Sequence, residues 1–451
     1  MNYYLQTLGC PKNVADSEGI GSVLECAGHT ATDCAAEADV LIVNTCGFLQ
    51  AARKESLAAL RDLAEQKRAD QLLIAVGCLI SRYGAMVERE VPQVDGVIDA
   101  GRWLALPRLI EYLRADEEVP EDWLTTAYAG LPLEQLSARS IVEPLARAPH
   151  GPSAYLKIAD GCDRPCAFCI IPAIKGAHRS KPMDAIIDEA RDLVAQGVKE
   201  IILVAQDTTA YGWDLGQRDA LEPLIERLCA EVDGLRWLRL MYTYPGHVTP
   251  RLIETMARLP QVVHYVDVPI QHAHPEMLMQ MRRPNIDVTR QMLNDLRAAM
   301  PDLAIRTTFI VGFPGETDEE FSALLEFMEE QQFDRVGVFE FSREEGAPAA
   351  YLPDQVASKI KAQRRKQAME LQQRISLAKN QQFIGRELDV LVEGTGDGVS
   401  IGRTYRDAPE VDGVVIIKKE LPIGDLVRTQ ITGAIEYDLI GEPIRISDCC
   451  C

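Results

Sequence analysis

Hydrophobic patterning divides the chain into stretches of different kind. Up to about residue 130, short apolar runs alternate with helical patterns. Residues 40–43 and 72–76 suit buried strands, and residues 51–67 between them repeat their apolar positions at helical spacing. Strand and helix in alternation predict a three-layer α/β domain, a parallel sheet with helices on its faces. Residues 131–150 carry Pro132, Pro144 and Pro149 among small and polar residues, which suits a linker. Six strand candidates follow at 154–159, 200–205, 237–241, 264–268, 304–311 and 335–341, each but the last trailed by a helical segment. That series predicts a partial (β/α)6 barrel over residues 151–380, with the polar stretch 357–380 as a connecting helix. From 381 to 448 the pattern becomes β-branched alternation with many glycines, which predicts a small antiparallel β-barrel.

Length and composition agree with several soluble units. The chain has 451 residues, 47% hydrophobic and 25% charged. No run of about 18 apolar residues occurs, so no membrane span is expected. Residues 1–7 lack the basic and apolar regions of a signal peptide, and a cytoplasmic location is expected. The formal net charge is −21. Phosphate backbones attract basic surfaces, so this balance argues against a nucleic acid partner and for a basic protein. Residues 383–448 alone hold 13 acidic and 7 basic residues.

Twelve cysteines are many for a reducing compartment, where clustered cysteines bind metal or do chemistry. Cys162, Cys166 and Cys169 stand in a C-x3-C-x2-C loop directly after the first barrel strand. Three thiolates in such a loop can wrap a cubane and leave one iron open. A zinc site would prefer four ligands, and a ferredoxin-type cluster would take a fourth nearby cysteine. The next cysteine is Cys229, among apolar helical residues and read as a packing residue. Three further cysteines each follow a strand and stand beside a glycine: Cys10, Cys46 and Cys78. Carboxyl ends of parallel strands share one edge, so these thiols are expected to converge on a second cluster. Cys26 and Cys34 lack that placement and are read as packing residues. The tail Cys449-Cys450-Cys451 is given no role.

The C-x3-C-x2-C loop and the strand-end cysteines resemble the methylthiotransferase family of radical S-adenosylmethionine enzymes. The resemblance extends to the opening Leu8-Gly9-Cys10-Pro11-Lys12-Asn13 with Asp16-Ser17-Glu18, to residues 205–212 (Ala-Gln-Asp-Thr-Thr-Ala-Tyr-Gly), and to residues 401–413. These strings are most similar to the branch that modifies ribosomal protein S12, not to the transfer-RNA branches. The resemblance implies two [4Fe–4S] clusters, held by Cys10, Cys46 and Cys78 and by Cys162, Cys166 and Cys169. It also implies S-adenosylmethionine at the second, a TRAM-type last domain, and methylthiolation of an aspartate β-carbon. A flavodoxin- or ferredoxin-type electron donor and a sulfur donor are expected partners. The acidic last domain fits a basic ribosomal protein better than RNA.

Within that frame, Phe168 is expected against the adenine of the cofactor. Gly312 and Gly315, in Gly-Phe-Pro-Gly after the fifth barrel strand, would let backbone approach it. Gln206, Asp207 and Gln271 sit at strand ends on the barrel mouth, where cofactor or substrate contact competes with simple solvation. His247 and His264 have no evident partner and are read as structural.

Overall fold

The computed structural model describes residues 1–115, 147 and 149–444. The expected linker therefore lies largely outside the described residues, as does the triple-cysteine tail.

The first unit is a parallel sheet of β1 (Asn2–Thr7), β2 (Thr30–Ala31), β3 (Val40–Thr45), β4 (Leu72–Gly77) and β5 (Gly96–Asp99), ordered β2-β1-β3-β4-β5. Its helices are α1 (Pro11–Cys26), α2 (Gln50–Gln66), α3 (Cys78–Glu90) and α4 (Leu106–Ala115). Successive side chains on a strand point to opposite faces. Val40, Ile42, Ile74 and Val76 accordingly pack with Ile20 and Leu24 of α1 and Leu106, Leu109 and Ile110 of α4. Leu41, Val43, Leu73 and Ala75 pack on the other face with Leu57 and Leu60 of α2 and Leu79 and Val87 of α3. Near-continuous apolar strands are thus explained by burial on both sides.

The second unit begins with β6 (Ser153–Lys157), the short ribbon β7 (Ala159–Asp160) and β8 (Arg179–Ser180), and the helices α5 (Ile171–Lys175) and α6 (Met183–Ala195). It continues as β9 (Glu200–Val204), α7 (Leu221–Glu231), β10 (Trp237–Leu240), α8 (Pro250–Arg258) and β11 (Val262–Asp267). It ends with α9 (Pro275–Gln280), α10 (Ile286–Ala299), β12 (Ala304–Val311), α11 (Asp318–Gln331), β13 (Arg335–Glu340) and the long α12 (Ser358–Gln381). Strands β6-β9-β10-β11-β12-β13 form one parallel sheet in chain order. Their bounds fall within two residues of those expected. Leu156, Ile201, Leu203, Leu238 and Leu240 face the helices, while Tyr155, Ile202, Val204 and Tyr265 face the concave side.

The third unit is a closed barrel, β14 (Glu387–Gly396), β15 (Val399–Arg403), β16 (Val415–Ile417), β18 (Leu439–Pro443) and β17 (Leu426–Ala434). The expectation of an antiparallel barrel holds for every pairing but one, since β16 and β18 run parallel. A ring of five strands cannot alternate direction all the way round, so closure requires one parallel pair.

The concave side of the six-stranded sheet is filled by its neighbours. Val14 and Ala15 of α1 and Tyr405 and Ala408 of the β15–β16 loop join its inner core. That loop also carries charge inward. Arg335 meets Asp407 at 2.5 Å, Arg306 meets Asp412 at 3.3 Å, and the Tyr265 hydroxyl donates to Asp412 at 2.7 Å. Asp407 and Asp412 are therefore interior charges with partners, not surface field.

Candidate active site

The loop between β7 and α5 carries the C-x3-C-x2-C motif. It can turn there because Gly161 adopts φ +74°, and a Cβ at this position would lie 2.0 Å from the Ala177 carbonyl oxygen. Cys162 and Cys166 are buried, Cys169 is part-buried, and all three are free thiols. Each sulfur receives one donor: the Arg164 N–H at 3.4 Å to Cys162, the Ile171 N–H at 3.4 Å to Cys169, and Arg283 Nη1 at 3.7 Å to Cys166. Donors aimed at sulfur suit thiolates that carry charge. Burial, with the neighbouring sulfurs acting in the same direction, pushes Cys162 up to about 11 and Cys169 up to about 12. The charge that burial penalises on these sulfurs is balanced when iron takes the place of their protons.

Cys10, Cys46 and Cys78 stand at the carboxyl ends of β1, β3 and β4, as the alternation of strand and helix requires. Cys10 is the N-cap of α1 and Cys78 is the first residue of α3, so the positive ends of two helices face thiols. The glycines explain the convergence. A Cβ on Gly9 would lie 3.0 Å from Cys46 Sγ, and one on Gly47 would lie 2.7 Å from Leu79 Cα, next to Cys78. Burial pushes Cys78 up to about 12, with Cys10 and Cys46 acting in the same direction and Lys175 against them. All three are free thiols. Among the described residues, no three His, Cys, Asp or Glu side chains are grouped as ligands of a single ion would be. A cubane is held through separate irons, so its thiolates stand apart.

A buried ion quartet joins the two loops. Lys157 of β6 meets Asp16 of α1 at 2.5 Å and Asp160 of β7 at 3.7 Å. Lys175, at the end of α5, meets Asp160 at 3.3 Å and Asp16 at 3.7 Å. Asp160 lies far below the usual carboxylate range: burial alone would raise it, but Lys175 and Lys157 outweigh that. Arg147 adds a second clamp, donating to Glu18 of α1 at 3.0 Å and to Glu189 of α6 at 2.9 Å. These pairs pin the first unit onto the barrel. Sequence reading missed them, because paired interior charges look like any polar position.

The remaining candidates separate into groups. Phe168 is half-buried against Met277, Met281, Phe313 and Phe341. The side-chain oxygens of Gln206 and Gln271 are buried without a hydrogen-bond partner. Gln271 also holds a left-handed backbone at φ +80°, as does Tyr242 at φ +60°, both at strand ends on the barrel mouth. Strain of that kind in residues other than glycine gathers at functional sites. Asp207 is fully engaged, by Arg164 at 2.5 Å and Thr209 at 2.5 Å. Burial would raise its carboxyl, but His247 and Arg164 hold it low. At Gly312 a Cβ would lie 2.3 Å from Lys361 of α12, so part of the room at this glycine is taken by the chain itself. The Gly312 N–H donates to Glu316 at 2.6 Å. At Gly315, φ +81°, a Cβ would meet only Gln280 Oε1, in ordinary contact at 3.8 Å.

Three readings change. Cys26 and Cys34 are exposed, not packed: the first ends α1 and the second precedes a short turn at the sheet rim. His247 does have partners, Asp207 at 3.9 Å and the rings of Trp213 and Tyr244. His264 meets Asp302 at 2.6 Å. Cys229 packs against the main core as expected.

Comparison with known proteins follows the same division. Residues 156–328 match the radical SAM superfamily, residues 2–99 the uncharacterized protein family UPF0004, and residues 384–444 the TRAM domain. The ribosomal protein uS12 methylthiotransferase RimO of Roseiflexus castenholzii is 48% identical, covering 99% of this chain and 97% of its own. That of Herpetosiphon aurantiacus is 48% identical, covering 98% and 100%. That of a Thermoanaerobacter strain is 42% identical, covering 98% and 99%. Among solved structures, the radical S-adenosylmethionine methyltransferase TsrM of Kitasatospora setae, with cobalamin and a [4Fe–4S] cluster bound, aligns with TM-score 0.58 at 14% identity over 89% of this chain and 77% of its own. At that identity the likeness speaks to the fold. With its radical SAM barrel, its TRAM barrel and identity above 40% along the whole length of such relatives, the chain belongs to the ribosomal protein uS12 methylthiotransferase family.

Proposed function

We propose that this chain installs a methylthio group on the β-carbon of an aspartate of ribosomal protein uS12, with two [4Fe–4S] clusters and S-adenosylmethionine. The observation that carries the reading is two triads of unpaired cysteines, joined by a buried ion quartet, in a chain of this family. In this reading Cys162, Cys166 and Cys169 hold one cluster and Cys10, Cys46 and Cys78 the other, each leaving one iron without a protein thiolate. When bound, these groups supply reductive cleavage of S-adenosylmethionine at the first and sulfur carriage at the second, chemistry that an unactivated C–H bond demands.

The chain's own residues do the rest. Arg164, fixed by Asp207, orients the loop between Cys162 and Cys166. Phe168 offers an apolar face to the adenine, and the unpaired amide oxygens of Gln206 and Gln271 accept from the cofactor's polar groups. Gly312 and Gly315, both at positive φ, shape the turn after β12 through which backbone would approach the cofactor. Lys157 and Lys175, with Asp16 and Asp160, fix the first unit so that its triad faces the barrel mouth. On the last unit, Glu387, Asp389, Asp397, Glu410, Glu420, Asp425 and Glu442 are exposed, against Arg386, Lys418, Lys419 and Arg428, an acidic excess that suits a basic substrate. We take the working units to be residues 1–130, 151–380 and 381–448, joined by a linker at 131–150. A flavodoxin- or ferredoxin-type protein would supply electrons, a separate donor would supply sulfur, and the reaction would run in the cytoplasm. No described helix is long and apolar enough to cross a membrane.

The test offers an uS12-derived peptide and unmodified transfer RNA to the anaerobically reconstituted enzyme with S-adenosylmethionine, sulfide and reductant. Mass spectrometry should find the methylthio increment on the peptide's aspartate and none on RNA. An adduct on RNA alone would give the substrate to the transfer-RNA reading instead.

A further inference from the structure

Arg283 lies between α9 and α10, outside every motif considered above. Its Nη1 donates to Cys166 Sγ at 3.7 Å and its Nη2 to the Pro269 carbonyl. Its guanidinium lies over the Tyr244 ring, 4.2 Å from the centroid. The Arg164 guanidinium is also stacked on Tyr244, at 4.9 Å, and on Trp213 at 4.8 Å. Arg164 stands between Cys162 and Cys166 and is neutralised by Asp207 at 2.5 Å. No carboxylate neutralises Arg283 among the described residues, and its Nε is buried without a partner. The pair of arginines is therefore asymmetric. Arg164 has a carboxylate, whereas Arg283 directs an uncompensated positive charge at a cysteine sulfur.

We propose that Arg283 is a positioning residue that sets the reduction potential of the cluster held by Cys162, Cys166 and Cys169, and so rests on the cluster reading above. Reduction adds negative charge to a cluster and its thiolates. A cation and an N–H donor at one of those sulfurs stabilise the more negative state, which raises the potential. In a half-buried site of low dielectric that attraction is weakly screened. The clamp keeps the effect in place. Stacking on Tyr244 and the bond to the Pro269 carbonyl prevent the guanidinium from swinging to solvent. The consequence is a centre within reach of a biological one-electron donor, where cleavage of a sulfonium requires the reduced state.

The test uses the full chain carrying Cys10→Ala, Cys46→Ala and Cys78→Ala, so that one cluster remains. It is reconstituted with iron and sulfide without S-adenosylmethionine. EPR-monitored potentiometry with a dithionite-poised mediator series then gives the midpoint potential. Arg283→Gln should move it to more negative values, Arg283→Lys should recover part of the difference, and Tyr244→Leu should shift it in the same direction by less. An unchanged potential in Arg283→Gln at the parent's iron content overturns the proposal, and assigns Arg283 to packing or to cofactor affinity alone. If Arg283→Gln fails to keep its iron, Arg283→Lys and Tyr244→Leu decide, and parent-like potentials in both overturn it. A parent that binds no iron overturns the cluster reading, and this inference with it.

Discussion

Replacing Glu200 by Gln tests how the radical barrel and the last unit are held together. Glu200 is wholly buried at the start of β9. One carboxylate oxygen accepts from Arg239 Nε at 2.6 Å, and the other from Arg403 Nη2 at 2.6 Å and the Ser153 hydroxyl at 3.0 Å. Arg239 belongs to β10 and Arg403 to β15, so one carboxylate ties two units. Burial by itself would raise this carboxyl, but Arg239 and Arg403 hold it down at about 2 against an ordinary 4.5. The free energy separating those values is roughly 3 kcal/mol. Removing one partner of a buried ion group typically costs about 3–5 kcal/mol, because the partner charges stay buried and unpaired. Here Arg403 keeps Glu393 and Arg239 keeps the Tyr405 carbonyl, which places the expected loss at the lower end, about 3 kcal/mol. Urea denaturation of the iron-free protein by circular dichroism measures the total. Hydrogen exchange in β14 and β15 shows whether the junction opens first, which matters because a chain of several units need not unfold in one step. The contribution of Glu200 is present above its unfolded pKa and is lost as pH falls through 4.5 toward about 2. The gap between wild type and Glu200→Gln should therefore narrow in acid. A loss below about 1 kcal/mol at neutral pH, or a gap indifferent to acid, would refute the reasoning.

Three further outcomes are expected. Gly47→Ala forces a Cβ against the Leu79 backbone and should cost about 1–3 kcal/mol; iron analysis should show loss at the Cys10, Cys46 and Cys78 site with the other retained. Arg147→Ala strands Glu18 in the interior while Glu189 keeps Lys181, so urea denaturation should register a loss of about 3 kcal/mol, and limited proteolysis should release the first unit sooner. Cys26→Ser and Cys34→Ser alter exposed thiols, and thermal melts should stay within about 0.5 kcal/mol of wild type with iron content unchanged.

Where burial alone decided an element, the chain could be read directly. Val40–Thr45 and Leu72–Gly77 are buried on both faces, so their apolar runs announce parallel strands. The C-x3-C-x2-C spacing is local and needs no fold to be recognised. The convergence of Cys10, Cys46 and Cys78 was inferable from strand-end placement and adjacent glycines. Long-range polar pairing was not legible. Asp407 and Asp412 counted as acidic surface, yet each meets an arginine of the barrel interior. Arg283 sits far from Cys166 in sequence, and nothing local marks it. Tyr242 and Gln271 take left-handed backbone that only glycine or asparagine would have signalled. Exposure of Cys26 and Cys34 was missed because a cysteine away from a motif is most often buried.

The two-triad claim is tested most directly by iron content and EPR of three anaerobically reconstituted proteins. These are the wild type, the variant lacking Cys10, Cys46 and Cys78, and the variant lacking Cys162, Cys166 and Cys169. The account predicts that each variant keeps half the wild-type iron as one [4Fe–4S] signal, and that only the variant keeping Cys162, Cys166 and Cys169 changes its signal on adding S-adenosylmethionine. Full iron in either variant, or none in the one that keeps Cys10, Cys46 and Cys78, would contradict it.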